Sequence, residues 1–418
     1  MATPKLRFKE FDGDWNKSTI GNFVLNYKGG ASLTPADFVE YSDCEVIPKK
    51  AISSGGLLQL DKVVPTFCTL EFFNSNQNYI VDSEYLITTL RDLVPSGPSI
   101  GYIVKYESNK KYILAQGVYG FRIKNDLNRD FLIQFSNTSK FRLHMQSIMV
   151  GSTQVHIRNQ DYFSTKLYTP SLIEQTKIAS FLSAVDEKIS QLTRKHALLS
   201  QYKQGMMQKL FSQEIRFKAD DGSEFGEWEE KILKDLFPKI RNGFVGVATP
   251  YYVNYGVKYL QGKNIKNGKI DATGLIFINQ EFHQKKTNSI LKTNDILMVQ
   301  SGHVGECAVV TEDYDNANCH ALLVLSPKSS KLINSKFVVY YFYSEIGKKK
   351  IALIKTGNTI EHILASDIKE VALLFPCLAE QTKIANFLSS INQKIEVVAV
   401  QIEQVKTWKK GLLQQMFV

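Results

Sequence analysis

The amino-acid sequence predicts an α+β protein in which two mixed α/β globular domains are joined by two long helices. Three observations support this fold class. A stretch that begins PSLIEQTKIASFLS at Pro170 returns as PCLAEQTKIANFLS at Pro376, without a gap and at an offset of 206 residues. Apolar residues recur in both copies at the spacing of a coiled coil. The chain before each copy reads as short strands between turn-forming residues.

The duplication covers the whole chain. The run EQTKIA occupies residues 174–179 and again 380–385, and the opening letters LRFKEFDGDW are echoed after the first copy by IRFK, DG and Trp228. A gapless repeat of this length indicates a tandem duplication. The predicted segments are a globular domain at 1–168 with its opening segment at 1–16, a long helix at 169–212, a linker with the repeated opening segment at 213–229, a second globular domain at 230–374 and a C-terminal long helix at 375–418.

Each copy of the repeat predicts one long helix. Its apolar residues alternate at spacings of four and three over more than four heptads, which is typical of a coiled-coil seam. About 38 helical residues make a rod of roughly 55–60 Å. Such a helix needs a partner, which is most simply the other copy; alternatively, each helix packs as a core helix on its own domain. The predicted seam consists of Ile178, Leu182, Val185, Ile189, Leu192, Leu199, Met206 and Leu210 in the first copy, and of Ile384, Leu388, Ile391, Ile395, Val398, Ile402, Val405, Leu412 and Met416 in the second.

Two lysines interrupt the seam at equivalent positions. Lys203 and Lys409 lie 206 residues apart, and a lysine in a seam lowers stability while it sets the register of the helices. The alternative is that this part of the helix pair is splayed or solvated. The sequence leaves both interpretations open.

Charge and cysteine usage restrict the class of protein. The 418 residues carry a formal net charge of +10 with a pI near 9.1, which favours a polyanionic partner over a merely basic soluble protein. The five cysteines include no C-x-x-C pair, which predicts reduced thiols rather than disulfides or a zinc site. Neither a membrane-spanning run nor a signal-peptide core is visible, so a cytoplasmic location without membrane attachment is expected.

The globular segments read mostly as strands. Sequences such as YIV at 79–81, YIVKY at 102–106 and DILMV at 295–299 alternate with turn signals such as SSGG and SGP, which predicts short strands. A short helix is predicted near residues 129–145 and a longer one over residues 334–354.

Similarity between the two globular segments is confined to short islands. GSTQVHI at 151–157 matches GNTIEHI at 357–363, again at an offset of 206, and SGPSIG at 96–101 roughly matches SGHVG at 301–305. Near-identical helices that carry divergent domains indicate one scaffold presenting two different readers. For His156 and His362 a structural loop role and a polar contact to a ligand both stay open, and each is favoured over metal binding.

No catalytic constellation is visible in the sequence. The letters contain no H-E-x-x-H, no G-x-S-x-G, no dinucleotide fingerprint and no complete phosphate loop. The sequence therefore predicts a protein that performs no catalysis of its own.

The layout resembles the specificity subunit of type I DNA restriction–modification enzymes. The resemblance spans the chain and rests on P-x-L-x-E-Q-T-K-I-A-x-F-L-S at Pro170 and at Pro376 (with Cys377-Leu378-Ala379 in the second copy), the heptad helices, the opening LRFKEFDGDW and the G-[SN]-T-x-x-H-I island. It implies that each globular segment is a target-recognition domain for one half of an asymmetric bipartite target in double-stranded DNA. It also implies that the two helices pack antiparallel as a spacer, with pseudo-two-fold symmetry.

The same resemblance implies a set of partners. Two methyltransferase subunits and two restriction subunits are expected to assemble on such a chain. Adenine methylation with S-adenosylmethionine, and cleavage driven by ATP with magnesium, would belong to those partners, so no cofactor is expected in this chain.

Candidate DNA contacts can be named from residue type alone. Lysine pairs suit phosphate contacts, and amide, hydroxyl or histidine side chains on loops suit base edges; a solvated face is the alternative for every lysine pair. The recurrence of the islands suits shared architecture or backbone contact better than sequence reading. The candidates are Lys49, Lys50, Lys110, Lys111, Ser152, Thr153, His156, Lys285, Lys286, Ser301, His303, Asn358, Thr359 and His362, with the run Lys348, Lys349 and Lys350 as a further basic cluster.

Three hypotheses follow for the function of the chain. The first is a DNA-reading scaffold without an active site. The second is a coiled-coil adaptor whose basic domains dock acidic proteins. The third is an enzyme with an unrecognised site in one domain. Salt-sensitive binding to a bipartite duplex separates the first from the second, and activity of the purified chain would favour the third.

Overall fold

The computed structural model describes residues 3–357 and 361–418. The chain divides into two compact units, each of which combines one globular domain with parts of both long helices. The first unit comprises Met1–Arg194 and Ala399–Val418, and the second comprises Lys195–Val398. Each long helix therefore contributes residues to both units.

The globular domains consist mainly of short strands, with helices of four to ten residues between them. The α-helices are α1 (Ile20–Phe23), α2 (Leu70–Ser75), α3 (Arg129–Ser136), α4 (Ser139–Ile148), α5 (Asn159–Phe163), α6 (Leu172–Phe211), α7 (Leu233–Leu236), α8 (Gln280–Lys285), α9 (Ser335–Tyr343), α10 (Glu345–Leu353), α11 (Ala365–Lys369) and α12 (Leu378–Met416). Short 3-10 helices lie at Pro35–Asp37, Lys49–Ala51, Leu60–Lys62, Gln77–Tyr79, Thr249–Tyr251, Gly262–Asn264, Thr287–Ser289 and Glu312–Tyr314.

The strands of both domains are short, between two and six residues long. In the first domain they are β1 (Asn16–Thr19), β2 (Val24–Lys28), β3 (Phe38–Val39), β4 (Val46–Ile47), β5 (Phe67–Cys68), β6 (Ile80–Val81), β7 (Leu86–Thr89), β8 (Arg91–Asp92), β9 (Ile103–Val104), β10 (Tyr112–Leu114), β11 (Val118–Ile123), β12 (Val155–His156) and β13 (Lys166–Thr169). In the second they are β14 (Glu229–Ile232), β15 (Lys239–Asn242), β16 (Tyr252–Val253), β17 (Val257–Leu260), β18 (Ile265–Lys266), β19 (Lys269–Ile270), β20 (Ile276–Ile278), β21 (Ile296–Val299), β22 (Cys307–Val309), β23 (Asn318–Cys319), β24 (Leu322–Ser326) and β25 (Ala372–Phe375).

Both domains are built around a four-stranded antiparallel sheet. Its order is β2-β11-β7-β9 in the first domain and β15-β24-β21-β22 in the second. A second sheet, smaller because its strands are shorter, is the three-stranded β4-β10-β6 in the first domain and the four-stranded β16-β20-β17-β23 in the second. The strand that opens each domain pairs antiparallel with the strand before the long helix, β1 with β13 and β14 with β25. The chain thus enters and leaves each domain at the same place.

Two helices expected from the sequence are each divided in the structure. The helix expected near 129–145 is α3 followed by α4, and the helix expected over 334–354 is α9 followed by α10. The breaks lie at Thr138 and Ser344, whose hydroxyls accept hydrogen bonds from the backbone N–H of Phe141 and of Gly347. A side chain that caps a backbone N–H starts a new helix. The predictions of single helices were wrong because helical periodicity continues across such a cap.

The two long helices are present as the repeat predicts. Helices α6 and α12 contain 40 and 39 residues and begin two positions after Pro170 and Pro376. The hydroxyl of Ser171 accepts a hydrogen bond from the N–H of Glu174 at 3.3 Å. Helix α6 ends before Gln213, whose φ of 61° places it in the left-handed region that commonly terminates helices.

The helices pair antiparallel within each unit, as expected. In the first unit Ile178 and Leu182, near the start of α6, share a buried cluster with Met416 at the end of α12. In the second unit Leu210, near the end of α6, shares a cluster with Ile384 near the start of α12. All residues of the predicted seam are buried or half-buried.

The long helices also pack against the domain cores. Each helix thus has the other helix as its partner and also serves as a core helix of a domain, so both interpretations from the sequence hold in part. Phe417, the residue after α12, lies with its ring centroid 5.0 Å from that of Phe131 and 6.3 Å from that of Trp15 in the first domain. Phe211, at the end of α6, lies 5.4 Å from both Phe337 and Tyr341 in the second domain. Each domain therefore holds the beginning of its own long helix and the end of the other one.

The two seam lysines have opposite environments. Lys409 is buried, and its Nζ lies 2.6 and 2.7 Å from the two carboxylate oxygens of Asp186. In the second unit, Asn392 stands where the repeat would place the equivalent of Asp186, and it donates to the hydroxyl of Tyr340 at 2.8 Å. Lys203 lies over the Tyr340 ring at 5.8 Å, without a carboxylate partner in the described part of the chain. Of the two alternatives, the register role therefore fits Lys409.

Burial lowers the pKa of Lys203 below its ordinary value of 10.5, and the charge of Lys269 acts in the same direction. The unfolded chain then binds a proton at this residue more tightly than the folded chain does. Protonation of Lys203 therefore opposes folding, and this destabilisation disappears as the pH rises past 10.5.

We expect the same substitution to have opposite effects at the two lysines. Lys203→Met should stabilise the second unit at neutral pH, and its advantage should shrink as the pH approaches 10.5. Lys409→Met should destabilise the first unit by about 1.5–3 kcal/mol, because it leaves the Asp186 carboxylate without its charged partner. Hydrogen exchange of backbone amides, followed separately in each unit at several pH values, measures both effects. Equal losses at the two positions would contradict the assignment.

Candidate nucleic-acid interface

The repeated EQTKIA motif forms a joint between each domain and its long helix. In the first unit Arg7, from the opening segment, donates from Nε and Nη2 to the two oxygens of Glu174, both at 2.8 Å. The same guanidinium donates to the carbonyls of Gly13 at 2.6 Å and Asp12 at 2.8 Å. A bidentate arginine–carboxylate pair fixes the relative orientation of both groups. The opening segment is thereby attached to the first turns of α6.

The second unit repeats this joint with one addition. Arg216 donates from Nε and Nη2 to the oxygens of Glu380 at 3.1 and 2.8 Å, and to the carbonyl of Gly226 at 2.6 Å. The indole Nε1 of Trp228 also donates to Glu380, at 3.0 Å. Glu174 and Glu380 are both buried. The buried carboxylates are therefore satisfied by the opening segment of their own repeat.

The glutamine of the motif attaches the helix to the rest of its domain. Gln175 accepts a hydrogen bond from the N–H of Asn128 at 2.8 Å and donates to the carbonyl of Pro170 at 3.0 Å. Gln381 does the same with Asn334 at 2.9 Å and Pro376 at 2.8 Å. Both copies of the EQTKIA motif thus attach a long helix to its domain. The sequence alone did not identify this structural role.

The basic candidates of the first domain lie in two different settings. Lys49 and Lys50 belong to the 3-10 helix Lys49–Ala51, with Lys49 half-buried and Lys50 exposed. Lys110 donates to Glu45 at 2.7 Å, and this hydrogen bond raises the pKa of Lys110. Lys111 is exposed and has no ion-pair partner within residues 3–357 and 361–418. Lys50 and Lys111 are therefore freer to meet a phosphate than Lys110 is.

The basic candidates of the second domain differ in the same way. Lys285 is paired with Glu281 on α8. Lys286 has its Nζ over the rings of Phe244 and Phe282, at 5.0 and 5.9 Å. Farther along the chain, Lys348 lies 3.2 Å from Glu345, Lys349 is exposed and Lys350 is half-buried.

The repeated islands form the same short backbone bridge in both domains. His156 pairs with Val150 and its neighbour Ile157 donates to the carbonyl of Leu90 at 2.9 Å, which attaches the island to the domain next to β8. His362 pairs with Thr356 and also with Ser301. The His156 and His362 side chains are exposed, as are Ser152, Thr153, Ser301 and His303. The structure brings Ser301 and His362 together, while Asn358 and Thr359 lie outside the described residues.

Little in the described residues suits metal or thiol chemistry. Within 3–357 and 361–418, no group of three or more His, Cys, Asp or Glu side chains is placed to hold a metal ion. Burial raises the pKa of Cys68 to about 11 and that of Cys319 to about 12, so these thiols stay protonated at neutral pH. Among the described residues, none of the helices has the length together with the apolar character that a membrane crossing requires.

The structure identifies a surface loop that sequence reasoning missed. The 244–247 loop follows β15 and exposes Val245 and Val247 on either side of Gly246. Residues 242–259 contain no acidic side chain. The lack of acidic residues is visible in the sequence. Only the fold shows that the loop lies beside Lys286, the residue that follows α8.

The chain matches one known protein family over most of its length. The sequence model described as "Type I restriction modification DNA specificity domain" matches twice, at residues 12–200 and 226–407. The MjaVIII specificity subunit of a type I restriction enzyme from Methanocaldococcus jannaschii is 25% identical over 425 residues, which cover 97% of this chain and 94% of that protein. The EcoKI specificity subunit of a type I restriction enzyme from Escherichia coli is 27% identical over 149 residues, 35% of this chain and 32% of its own length.

Solved structures of similar fold point in the same direction. The crystal structure of a type I restriction–modification S subunit from M. genitalium superposes with a TM-score of 0.61 at 16% identity, covering 100% of this chain and 99% of that one. A chain from a structural study of complex assembly and conformational transition of the type I restriction–modification system gives 0.56 at 16% identity, covering 96% and 97%. These likenesses confirm the two-domain fold with long helices.

We expect the joint to be essential to the stability of its unit. Glu380→Gln removes the charge that satisfies Arg216 and presents an amide N–H to existing donors, so the second unit should lose about 3 kcal/mol of unfolding free energy. Urea unfolding followed by tryptophan fluorescence measures this, because Trp228 contacts the same carboxylate. Glu370→Gln, which breaks the exposed pair with Lys234, is the control and should change little. Equal midpoints for the two variants would count against the role of the joint.

Proposed function

Since the chain belongs to the family of type I restriction–modification DNA specificity domains, we propose that it reads an asymmetric bipartite DNA target, one half with each globular domain. The observation that carries this proposal is the double match to the family: each match spans one domain and most of one long helix. Two specificity domains within one chain suit a target with two different halves. The paired long helices would act as the spacer between the two readers.

The surface chemistry of the two domains supports different half-sites. The segment before β4 in the first domain, residues 29–45, carries Asp37, Glu40, Asp43 and Glu45 and no lysine or arginine. The corresponding residues 242–259 of the second domain carry no acidic residue. Both segments contain a 3-10 helix and a parallel bridge to the smaller sheet, Ala31 with Ala115 and Phe244 with His320. A similar backbone course with different side chains suits two readers of different sequences.

The contact residues proposed for DNA follow from exposure and free charge. Lysines without a carboxylate partner in the described residues would bind phosphates and position the duplex. Exposed hydroxyl and imidazole side chains beside the islands would meet sugar, phosphate or base edges. The lysines proposed to bind phosphates are Lys49, Lys50, Lys111 and Lys286, and Lys110 and Lys285 become available once their ion pairs open. The proposed hydroxyl and imidazole contacts are Ser152, Thr153, His156, Ser301, His303 and His362. Asn358 and Thr359 are added to them from the sequence alone.

The chain would act as a scaffold and not as an enzyme. We propose that two methyltransferase subunits bind it and that two restriction subunits join through them, in the cytoplasm. S-adenosylmethionine, ATP and magnesium would be bound by those partners. The symmetry of the repeat supports two copies of one methyltransferase, because equivalent surfaces occur once in each half of the chain.

Two exposed aromatic residues occupy equivalent positions in the two long helices. Tyr202 on α6 and Trp408 on α12 are separated by the repeat offset of 206, and 51% and 52% of their surfaces are exposed. Trp408 packs edge-on against Phe181 at 6.0 Å and lines an apolar surface with Val400 and Ala399. Exposed aromatic side chains beside apolar neighbours are typical anchors of protein interfaces. We propose that each anchors one methyltransferase subunit.

Adenine methylation in a host that produces the chain with its methyltransferase partner tests the DNA proposal. We expect one asymmetric bipartite motif, and we expect exchange of residues 230–374 for the domain of another specificity subunit to change one half of it only. Methylome sequencing of both strains gives the result. A contiguous motif, or a change in both halves, would contradict reading by two separate domains.

Trp408→Ala and Tyr202→Ala test the docking of the methyltransferase. Each single variant should lose about 2 kcal/mol of binding at one of two sites, so that the complex falls from two methyltransferase subunits to one. Native mass spectrometry measures the stoichiometry, and Leu93→Ala, an exposed apolar truncation in the first domain, is the control. If the Trp408→Ala/Tyr202→Ala double variant still bound two methyltransferase subunits, these residues would not be the anchors.

A further inference from the structure

The base of the 244–247 loop is rigidly attached to the second domain. The N–H of Phe244 donates to the carbonyl of Cys319 at 2.9 Å, and the N–H of Ala321 donates to the carbonyl of Phe244 at 2.9 Å. Gly243 is required beside it, since a Cβ there would lie 2.6 Å from the sulfur of Cys319 and 2.9 Å from its carbonyl oxygen. The loop therefore leaves the domain from a fixed backbone position.

The loop is folded over its own phenylalanine. The Phe244 ring lies 5.0 Å from the Phe282 ring in an edge-on arrangement, under the Nζ of Lys286. A Cβ on Gly246 would approach the Phe244 ring to 3.0 Å, and the φ of 140° at Gly246 disfavours any other residue. With the Phe244 ring half-buried against Phe282 and the turn defined by Gly246, the loop presents its two valine side chains to solvent.

Those two side chains are both valines. Val245 is 66% exposed and Val247 is 76% exposed. Valine contributes no hydrogen bond, and two solvated valines on a defined turn do nothing for the core of the domain. Paired exposed apolar groups on an ordered loop are typical of a binding surface.

The charge around the loop selects its ligand. Lys286 covers Phe244 of the loop, and residues 242–259 contain no acidic side chain. Apolar groups beside an ammonium group complement a nucleic-acid groove, in which phosphates border the base edges. The apolar feature of a base edge in the major groove is the C5-methyl group of thymine.

We propose that the 244–247 loop enters the major groove of the half-site read by the second domain, where Val245 and Val247 contact thymine methyl groups and Lys286 binds an adjacent phosphate. The proposal rests on the proposed function and adds a specificity-determining element to it. The loop in the first domain differs, with GGASL at residues 29–33. Selection of thymine by such a loop is therefore expected only in the half-site read by the second domain.

Replacement of thymine by uracil tests the contact, because uracil lacks only the methyl group. Once methylome sequencing has defined the target, duplexes that carry uracil at single thymine positions are bound to the complex of this chain with its methyltransferase. At one or two positions of the second half-site, affinity should fall about fourfold, the factor for one buried methyl group. The Val245→Ala/Val247→Ala double variant should bind thymine and uracil duplexes equally, and methylation in its host should accept other bases at those positions.

Matched variants separate this contact from a general loss of DNA affinity. Val64→Ala removes the same atoms from an exposed valine of the first domain and should leave the thymine preference intact. Gly246→Ala disturbs the turn over Phe244 and should weaken binding to thymine and uracil duplexes alike. Equal affinity of the wild-type complex for both duplexes overturns the proposal, as does a second half-site made only of G·C pairs, or a uracil effect that survives in the double variant. Absence of any sequence-specific binding by the wild-type complex overturns the proposed function itself, and this inference with it.

Discussion

A bidentate ion pair between an arginine of the opening segment and a glutamate in the first turns of the long helix holds each unit together. Arg7 with Glu174, and Arg216 with Glu380, align two planar groups by two hydrogen bonds each. The same guanidinium also binds a glycine carbonyl, Gly13 or Gly226, and so fixes the fold of the opening segment where it meets the helix. A lysine could not replace this geometry, since its ammonium is a point charge.

Each long helix begins at such a joint and ends in the core of the other domain. With α6 and α12 started from equivalent joints, the end of each helix packs into the opposite domain, where Phe417 and Phe211 enter aromatic cores. The antiparallel pairing is therefore stabilised by packing in the domain cores as well as by apolar contacts along the seam. A domain that lacked the end of the other helix would expose these cores to water.

Duplication followed by divergence explains where the two halves agree and where they differ. Positions that carry the joint and the backbone bridges of the islands are shared. Positions that differ include Asp186, which pairs with Lys409 and has Asn392 as its counterpart in the second half, and the loops that leave the four-stranded sheets. The shared set builds one scaffold twice, and the divergent set gives each domain a surface of its own. This division suits a subunit whose recognition changes while its partners stay the same.

The sequence by itself determined the duplication, the two long helices, the mixed α/β class and the family, because these are properties of order and periodicity along the chain. Its strand predictions at 79–81 and 295–299 also correspond to β6 and β21. Only the tertiary structure decided which lysine of the seam is paired, since Asp186 and Lys409 are 223 residues apart. It also decided that Lys110 is paired with Glu45, 65 residues away, and that the 244–247 loop lies beside Lys286. Contacts of this kind depend on how distant segments meet in space, and no local pattern of residues encodes them.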